Sequence, residues 1–369
     1  MKLYEYLAKR AFAEAGIPVP PGRVVSSPAE AAVVCREIGP VAIKSQVLAG
    51  GRGKAGGIAF ADWPHEAEAR AAEILGKEIR GYRVEELLVE KKLTVQAELY
   101  FGVAVEGAAR RPVVIASTQG GVNIEEVPEK AIVRRAVDPI WGFRPYRARE
   151  VVRRLGLTGN EAGRLADILH RLWQVFRRYD AELVEINPLV LTSDGPVAAD
   201  GRLNVDDYAL FRHKDLPAVE EGSDRERKAR SLGLAYVELG GDIAVMANGA
   251  GITMGTLDVL QELGGRPANF LDAGGGAGVE PMTRAIEMLL DQSPKVVLVN
   301  IFGGITRCDD VAQAVVAARA SCGTEVPFVI RLVGTNEGEG LAILREHGLD
   351  AYTGMEEAAA RAVALARGR

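Results

Sequence analysis

From about residue 241 the chain alternates strand and helix five times. The strands lie near 243–247, 268–272, 295–301, 326–332 and 349–352, and the helices near 253–263, 280–290, 307–320, 338–347 and 355–367. Almost uninterrupted apolar strands such as Ile243-Ala244-Val245-Met246-Ala247 need cover on both faces, and the intervening helices supply it. A doubly wound parallel sheet is predicted for this half. The turns after its first three strands are Asn248-Gly249-Ala250-Gly251, Ala273 to Gly276, and Phe302-Gly303-Gly304. Any one of these glycines need do no more than allow a tight turn. Three such loops at the carboxyl edge of one sheet, beside helix N-termini that attract anions, predict a ligand edge.

The first half is less regular. Helices are expected near 2–15, 28–38, 64–76 and 161–179, and strands near 41–47, 84–90, 96–106 and 112–117. Within it, Val41 to Gly57 places Lys44 on an apolar strand and follows it with a loop of five glycines that also carries Arg52 and Lys54. Backbone without Cβ atoms wraps closely around phosphate oxygens, so this loop reads as a polyphosphate cradle, while taken alone a flexible surface loop with a solvated charge cluster fits it equally well. No Ser or Thr follows Lys54, which excludes a P-loop.

A hairpin, EINPLVLTSDGPVAADG from Glu185, closes this half. Glu185 and Asn187 point to one face because they are two apart on a strand. If Ser193 and Asp194 are the central turn residues, Asn187 lies opposite Asp200; if Asp194 and Gly195 are central, Asp200 faces Leu189 and Asn187 is a diagonal neighbour. Either register gathers hard oxygen donors suited to Mg²⁺ on nucleotide phosphates, although the same residues are ordinary on a polar hairpin surface. Upstream, Glu90 ends an apolar strand and Glu98 follows on the next, where backbone groups at a strand end hold a base and a carboxylate accepts from ribose hydroxyls. A densely charged segment from Lys214 to Arg230 then marks a domain boundary, placed at 228/229, giving domains 1–228 and 229–369.

The chain has 45 Lys and Arg against 50 acidic residues, a net charge of -5 that argues against nucleic acid or a membrane surface as partner. The charge-studded N-terminal helix is no signal peptide or anchor, so a cytoplasmic protein is expected. Cys35, Cys308 and Cys322 lack metal-ligand spacing and read as structural thiols. Trp63, Trp141 and Trp173 read as packing residues.

The order strand lysine, Gly-rich loop, strand-end glutamate, second glutamate, metal-type hairpin and doubly wound domain resembles the ATP-grasp ligases. The stretches AGGRGKAGG, EINPLV, NGAGITMGTLD, GGRPANFLDAGGGA and VNIFGGITRCD are similar to those of the succinyl-CoA synthetase β-subunit family. The resemblance spans nearly the whole chain. It implies an N-terminal ATP-grasp domain followed by a flavodoxin-like domain, with ATP/ADP as substrate and Mg²⁺ as cofactor. It also implies roles for particular residues. Lys44 and Gly51, Arg52 and Gly53 would contact phosphates, Glu90 and Leu93 would hold the base, and Glu98 would bind ribose. Asn187 and Asp200 would ligate Mg²⁺, Glu185 would act in phosphoryl transfer, and Asn248 with Gly304, Ile305 and Thr306 would contact an organic acid. Pro20 resembles the adenine-nucleotide form of the family.

In the resembled mechanism, ATP phosphorylates a histidine, the phosphoryl group passes to a dicarboxylic acid such as succinate, and CoA displaces it. The helix after Gly304 would aim its N-terminus at the phosphoryl group. A partner α subunit would carry the phospho-histidine and the main CoA site. Thr306, where many members have an apolar residue, leaves malate-CoA ligase and citryl-CoA synthetase as alternatives, because its hydroxyl could bond a hydroxylated acid. A non-catalytic nucleotide-binding regulatory subunit and a standalone carboxylate-amine ligase are two further readings. The metal-type hairpin counts against the former and the doubly wound domain against the latter.

Overall fold

The computed structural model describes residues 1–217, 219 and 222–368. The chain divides into two compact units, Met1–Glu221 and Gly222–Arg369.

The first unit contains two main antiparallel sheets. In the smaller, the strands run in the order Gly22–Val25, Leu87–Lys91, Val41–Ser45 and Ile58–Ala61. Alternation assigns its faces: Val41, Ile43, Leu87 and Val89 pack against Ala31, Val34, Ala67 and Ala71 of the helices Pro28–Ile38 and Pro64–Ile74. Ala42 pairs with Glu90 and Lys44 with Leu88, so Lys44 and Glu90 share the face turned away from those helices. The larger sheet runs Gly195–Ala198, Ala181–Thr192, Ala97–Glu106, Arg111–Ser117 and Ile132–Ala136, and Arg202–Val205 also pairs with Ala181–Thr192. Leu99, Phe101, Val103, Val184 and Ile186 form a core with the helices Glu5–Glu14, Pro145–Arg154 and Gly159–Arg178. The alternate residues Tyr100, Glu185 and Asn187 are thereby turned to the opposite face.

The second unit is a six-stranded sheet ordered Ala235–Glu238, Asn269–Asp272, Ile243–Ala247, Val296–Gly303, Phe328–Gly334 and Ala351–Tyr352. The last five are the parallel strands expected from the alternation, in the order 2-1-3-4-5; the first is an antiparallel edge that the sequence reading did not include. Ala244, Met246, Val297 and Val299 pack to one side, Ile243, Val245, Val296 and Leu298 to the other. Strands one and two pair in the ladder only at Ala247 and Asp272, and the buried Asn269 side chain bonds Val245 N at 3.0 Å and Val245 O at 2.8 Å in its place.

The helix Asp224–Ser231 lies within the charged segment, capped by Ser223 and Glu226, and it contains the expected boundary after 228. Trp173 is buried, whereas Trp63 and Trp141 are exposed and do not serve as packing residues. Cys35 and Cys308 are buried free thiols and Cys322 is exposed. Among the described residues no helix is long and apolar enough to cross a membrane.

Candidate functional site

The face shared by Lys44 and Glu90 meets the first helix, which brings Glu5 and Lys9 one turn apart. Six charges condense there. Lys9 Nζ lies 2.8 Å from Glu5 and 2.7 Å from Glu90; Lys44 Nζ lies 3.1 Å from Glu5 and 2.6 Å from Glu90. Arg52, in the Gly-rich loop, lies 2.7 Å from Glu5 and 3.0 Å from Asp200. Three carboxylates and three cations balance one another, and all but Asp200 are buried. Burial alone would raise the Glu5 carboxyl, but Lys44, Lys9 and Arg52 outweigh it and hold it well below the usual range. For Asp200 burial and the neighbouring Glu5 prevail over the cations, and its carboxyl is raised.

Glu5, Arg52 and Asp200 line a cleft of about 780 Å³ together with Gly51, Gly53, Lys54, Tyr100, Glu185 and Asn187. Gly51 has φ +69° and Gly56 φ +74°, which lets the loop turn tightly at both positions, and Gly51 and Gly53 line the cleft. Lys9 and Glu90 line a separate cavity of about 290 Å³ with Tyr6, Val19, Pro20 and Leu88. Lys44 opens on neither and is held between them. Leu93 and Glu98 line neither cavity, although the Glu98 carboxylate lies against Gly121, which lines the larger one and donates to Asn187.

In the hairpin, Thr192 pairs with Gly195, making Ser193 and Asp194 the central turn residues. Pairs on both sides, Leu189 with Ala198 and Glu185 with Arg202, keep one register, in which Asn187 stands opposite Asp200. The Asn187 side chain accepts from Gly121 N at 2.8 Å and donates to Val122 O at 2.9 Å. Glu185 accepts from the Tyr100 hydroxyl at 2.9 Å, and burial pushes its carboxyl upward against that bond. Among the described residues no group of three or more His, Cys, Asp or Glu is arranged to hold a metal. One carboxylate and one amide oxygen form a donor set that suits Mg²⁺, an ion that keeps several waters and completes its shell with phosphate oxygens.

The second unit assembles the other expected group. Asn248 bonds Phe302 O at 2.9 Å and Phe302 N at 3.0 Å, so the loops after strands one and three are tied together at the point where strand order reverses. Thr306 is buried, and its hydroxyl accepts from Gly276 N at 3.1 Å and from Asn248 at 3.4 Å. The hydroxyl expected to face an acid thus braces three loops, while Gly304 and Ile305 are exposed beside it. The helix after Gly304 is Cys308–Cys322, and its first turn already holds Asp309 and Asp310. Arg307 pairs with Asp309, whose carboxyl is lowered to about 2, so this helix end carries its own anions.

Glu5, Lys9 and Tyr100 were not singled out from the sequence. A signal existed for two: Glu5, Ala8, Lys9 and Phe12 fall at the spacing of one helix face that also buries apolar residues. Replacing Lys44 by Ala is expected to leave Glu5 and Glu90 short of a buried counter-charge and to cost about 3–5 kcal/mol of stability. Denaturant titration measures the loss, and an unchanged value would make Lys44 an ordinary lysine.

The chain matches the ATP-grasp domain family over residues 2–191 and the CoA-ligase family over residues 246–365. It is 46% identical to succinate–CoA ligase [ADP-forming] subunit beta of Roseiflexus sp. (strain RS-1) over 379 residues, covering 100% of both chains. The corresponding subunit of Methanothermobacter thermautotrophicus is also 46% identical, over 373 residues and 100% of both chains. That of Chloroflexus aurantiacus is 47% identical over 378 residues, again with 100% of both covered. Among solved structures, an ATP citrate lyase from Methanothrix soehngenii in complex with citrate and coenzyme A has the same fold, with a TM-score of 0.74 over 100% of this chain and 99% of that one at 20% identity.

Proposed function

The chain belongs to the family of succinate–CoA ligase [ADP-forming] β subunits, and from that premise we propose that it is the nucleotide-binding half of an acid–thiol ligase. One observation carries the assignment of the site: the cationic Gly-rich loop and the Glu185, Asn187 and Asp200 side chains line a single cleft. Lys44, Arg52 and the backbone of Gly51 and Gly53 would bind phosphate oxygens, and Asn187 and Asp200 would hold Mg²⁺. When bound, that ion neutralises charge on the transferring phosphoryl group. Glu185, fixed by Tyr100, would orient the acceptor beside that group. Pro20 and Glu90 share the smaller cavity, which supports it as the place of the base. Glu98 and Leu93 remain assigned by family resemblance alone.

The acceptor is proposed to be a histidine of a partner α-type chain, from which the phosphoryl group passes to a carboxylate; a thiol then displaces phosphate and leaves the thioester. Activation is needed because a free carboxylate resists attack by a thiol. Asn248 and the Gly304 to Thr306 turn would receive the acid, succinate in the first instance. An assay of succinate, malate and citrate with the cognate partner tests this reading. Thioester formation from none of the three would remove it.

Thr306→Val probes the choice of acid. It leaves Gly276 N–H without its acceptor, a loss of about 1–3 kcal/mol, and loosens the brace between the three loops. The ranking among the three acids is expected to change more than ATP affinity does. An identical ranking would place acid selection in the partner.

A further inference from the structure

The charge cluster lies between the two cavities: Lys9 and Glu90 border the smaller, Glu5, Arg52 and Asp200 border the larger, and Lys44 joins them. A nucleotide with its base in the smaller and its terminal phosphates in the larger must run past this partition. Lys44 and Arg52 are already paired with carboxylates, and within the cluster Glu5 alone contacts Lys9, Lys44 and Arg52. Its Oε2 has the Arg52 guanidinium at 2.7 Å but accepts no aligned hydrogen bond, so this contact is held by charge rather than by geometry. Arg52 in turn covers Asp200.

We propose that Glu5 holds the place of nucleotide phosphate before nucleotide binds, so that nucleotide binding is an exchange of anions on Lys44 and Arg52 that also uncovers Asp200 for the metal. This rests on the nucleotide-binding reading above. No covalent step is involved. The cations lose Glu5, Glu90 or Asp200 as partner and gain phosphate oxygens, while Lys9 stays in contact with both Glu5 and Glu90 and offsets one of their two charges. Glu5 is therefore a positioning residue that keeps the buried cations compensated and aimed before ligand arrives.

The test is thermal unfolding of the full chain with and without ATP. In E5Q the empty protein is short of one buried anion, and bound phosphate restores it. The ATP-induced rise in Tm is therefore expected to exceed that of the wild type by about 2–4 °C. E5D, which keeps the charge, should shift as the wild type does. A rise in E5Q equal to or smaller than the wild-type rise overturns the proposal, whereas no shift in the wild type overturns the nucleotide-binding reading instead. If E5Q does not fold, R52Q decides: Mn²⁺ titration without nucleotide, followed by electron paramagnetic resonance, should show at least about tenfold tighter binding than in wild type as Asp200 is unmasked. Equal Mn²⁺ affinity in R52Q and wild type overturns the exchange.

Discussion

Asp200→Asn is expected to lower Mg²⁺-dependent phosphoryl transfer by at least about a hundredfold in the assembled enzyme while leaving the fold intact. Of the two assigned ligands Asn187 is a neutral amide, so Asp200 supplies all of the negative charge that the pair brings to the ion. The amide keeps the hydrogen bond from Gly201 N, and Arg52 keeps Glu5 as its counter-ion. Stability should change little for a further reason. Burial and Glu5 raise the Asp200 carboxyl, which means that its ionised form is disfavoured on folding, so removing that charge relieves a cost. Initial rates at limiting and saturating Mg²⁺, with a melting curve beside them, measure both halves. Wild-type turnover at limiting Mg²⁺ would take the hairpin out of the reaction.

What the sequence disclosed follows from how local each feature is. The five strand–helix units were legible because strands such as Ile243–Ala247 are buried on both faces and read as unbroken apolar runs. The edge strand Ala235–Glu238 is half exposed and only four residues long, and it gives no such run. The helix Asp224–Ser231 was hidden by its charge, although Ser223 followed by Glu226 spells a capping box. In the hairpin the turn residues left two registers open, and the paired positions select the one that sets Asn187 opposite Asp200.

The site was legible where one segment carries the chemistry, as from Lys44 to Lys54, and not where distant segments meet. Glu5 and Glu90 are 85 residues apart in a 369-residue chain, and only the packing of the first helix on the smaller sheet brings them to the same lysines. Thr306 shows the converse. Its position was anticipated, but the use of its hydroxyl depended on Gly276 and Asn248 from two other loops.

The largest effect is expected from leaving out the partner. The chain alone should bind Mg-ATP and yield no acyl-CoA, with turnover appearing on addition of an α-type chain that carries the phosphorylated histidine. The chain's own four histidines are placed for other work. His65 is exposed at the start of the helix Pro64–Ile74, and His347 is exposed with Nδ1 on Ile343 O at 2.9 Å. His213 pairs with Asp180 at 2.8 Å and stacks on Tyr179. His170 sits within the helix Gly159–Arg178 near Gln174. None lines the cleft where Glu185 and the cationic loop converge, so none is placed to take a phosphoryl group from a nucleotide held there. Separate purification and recombination of the two chains, with acyl-CoA and acid-labile protein phosphate as readouts, is the measurement. Acyl-CoA synthesis by the single chain, or phosphate on one of its own histidines during turnover, would sink the assignment, because the cleft would then have to reach a residue that this fold holds outside it.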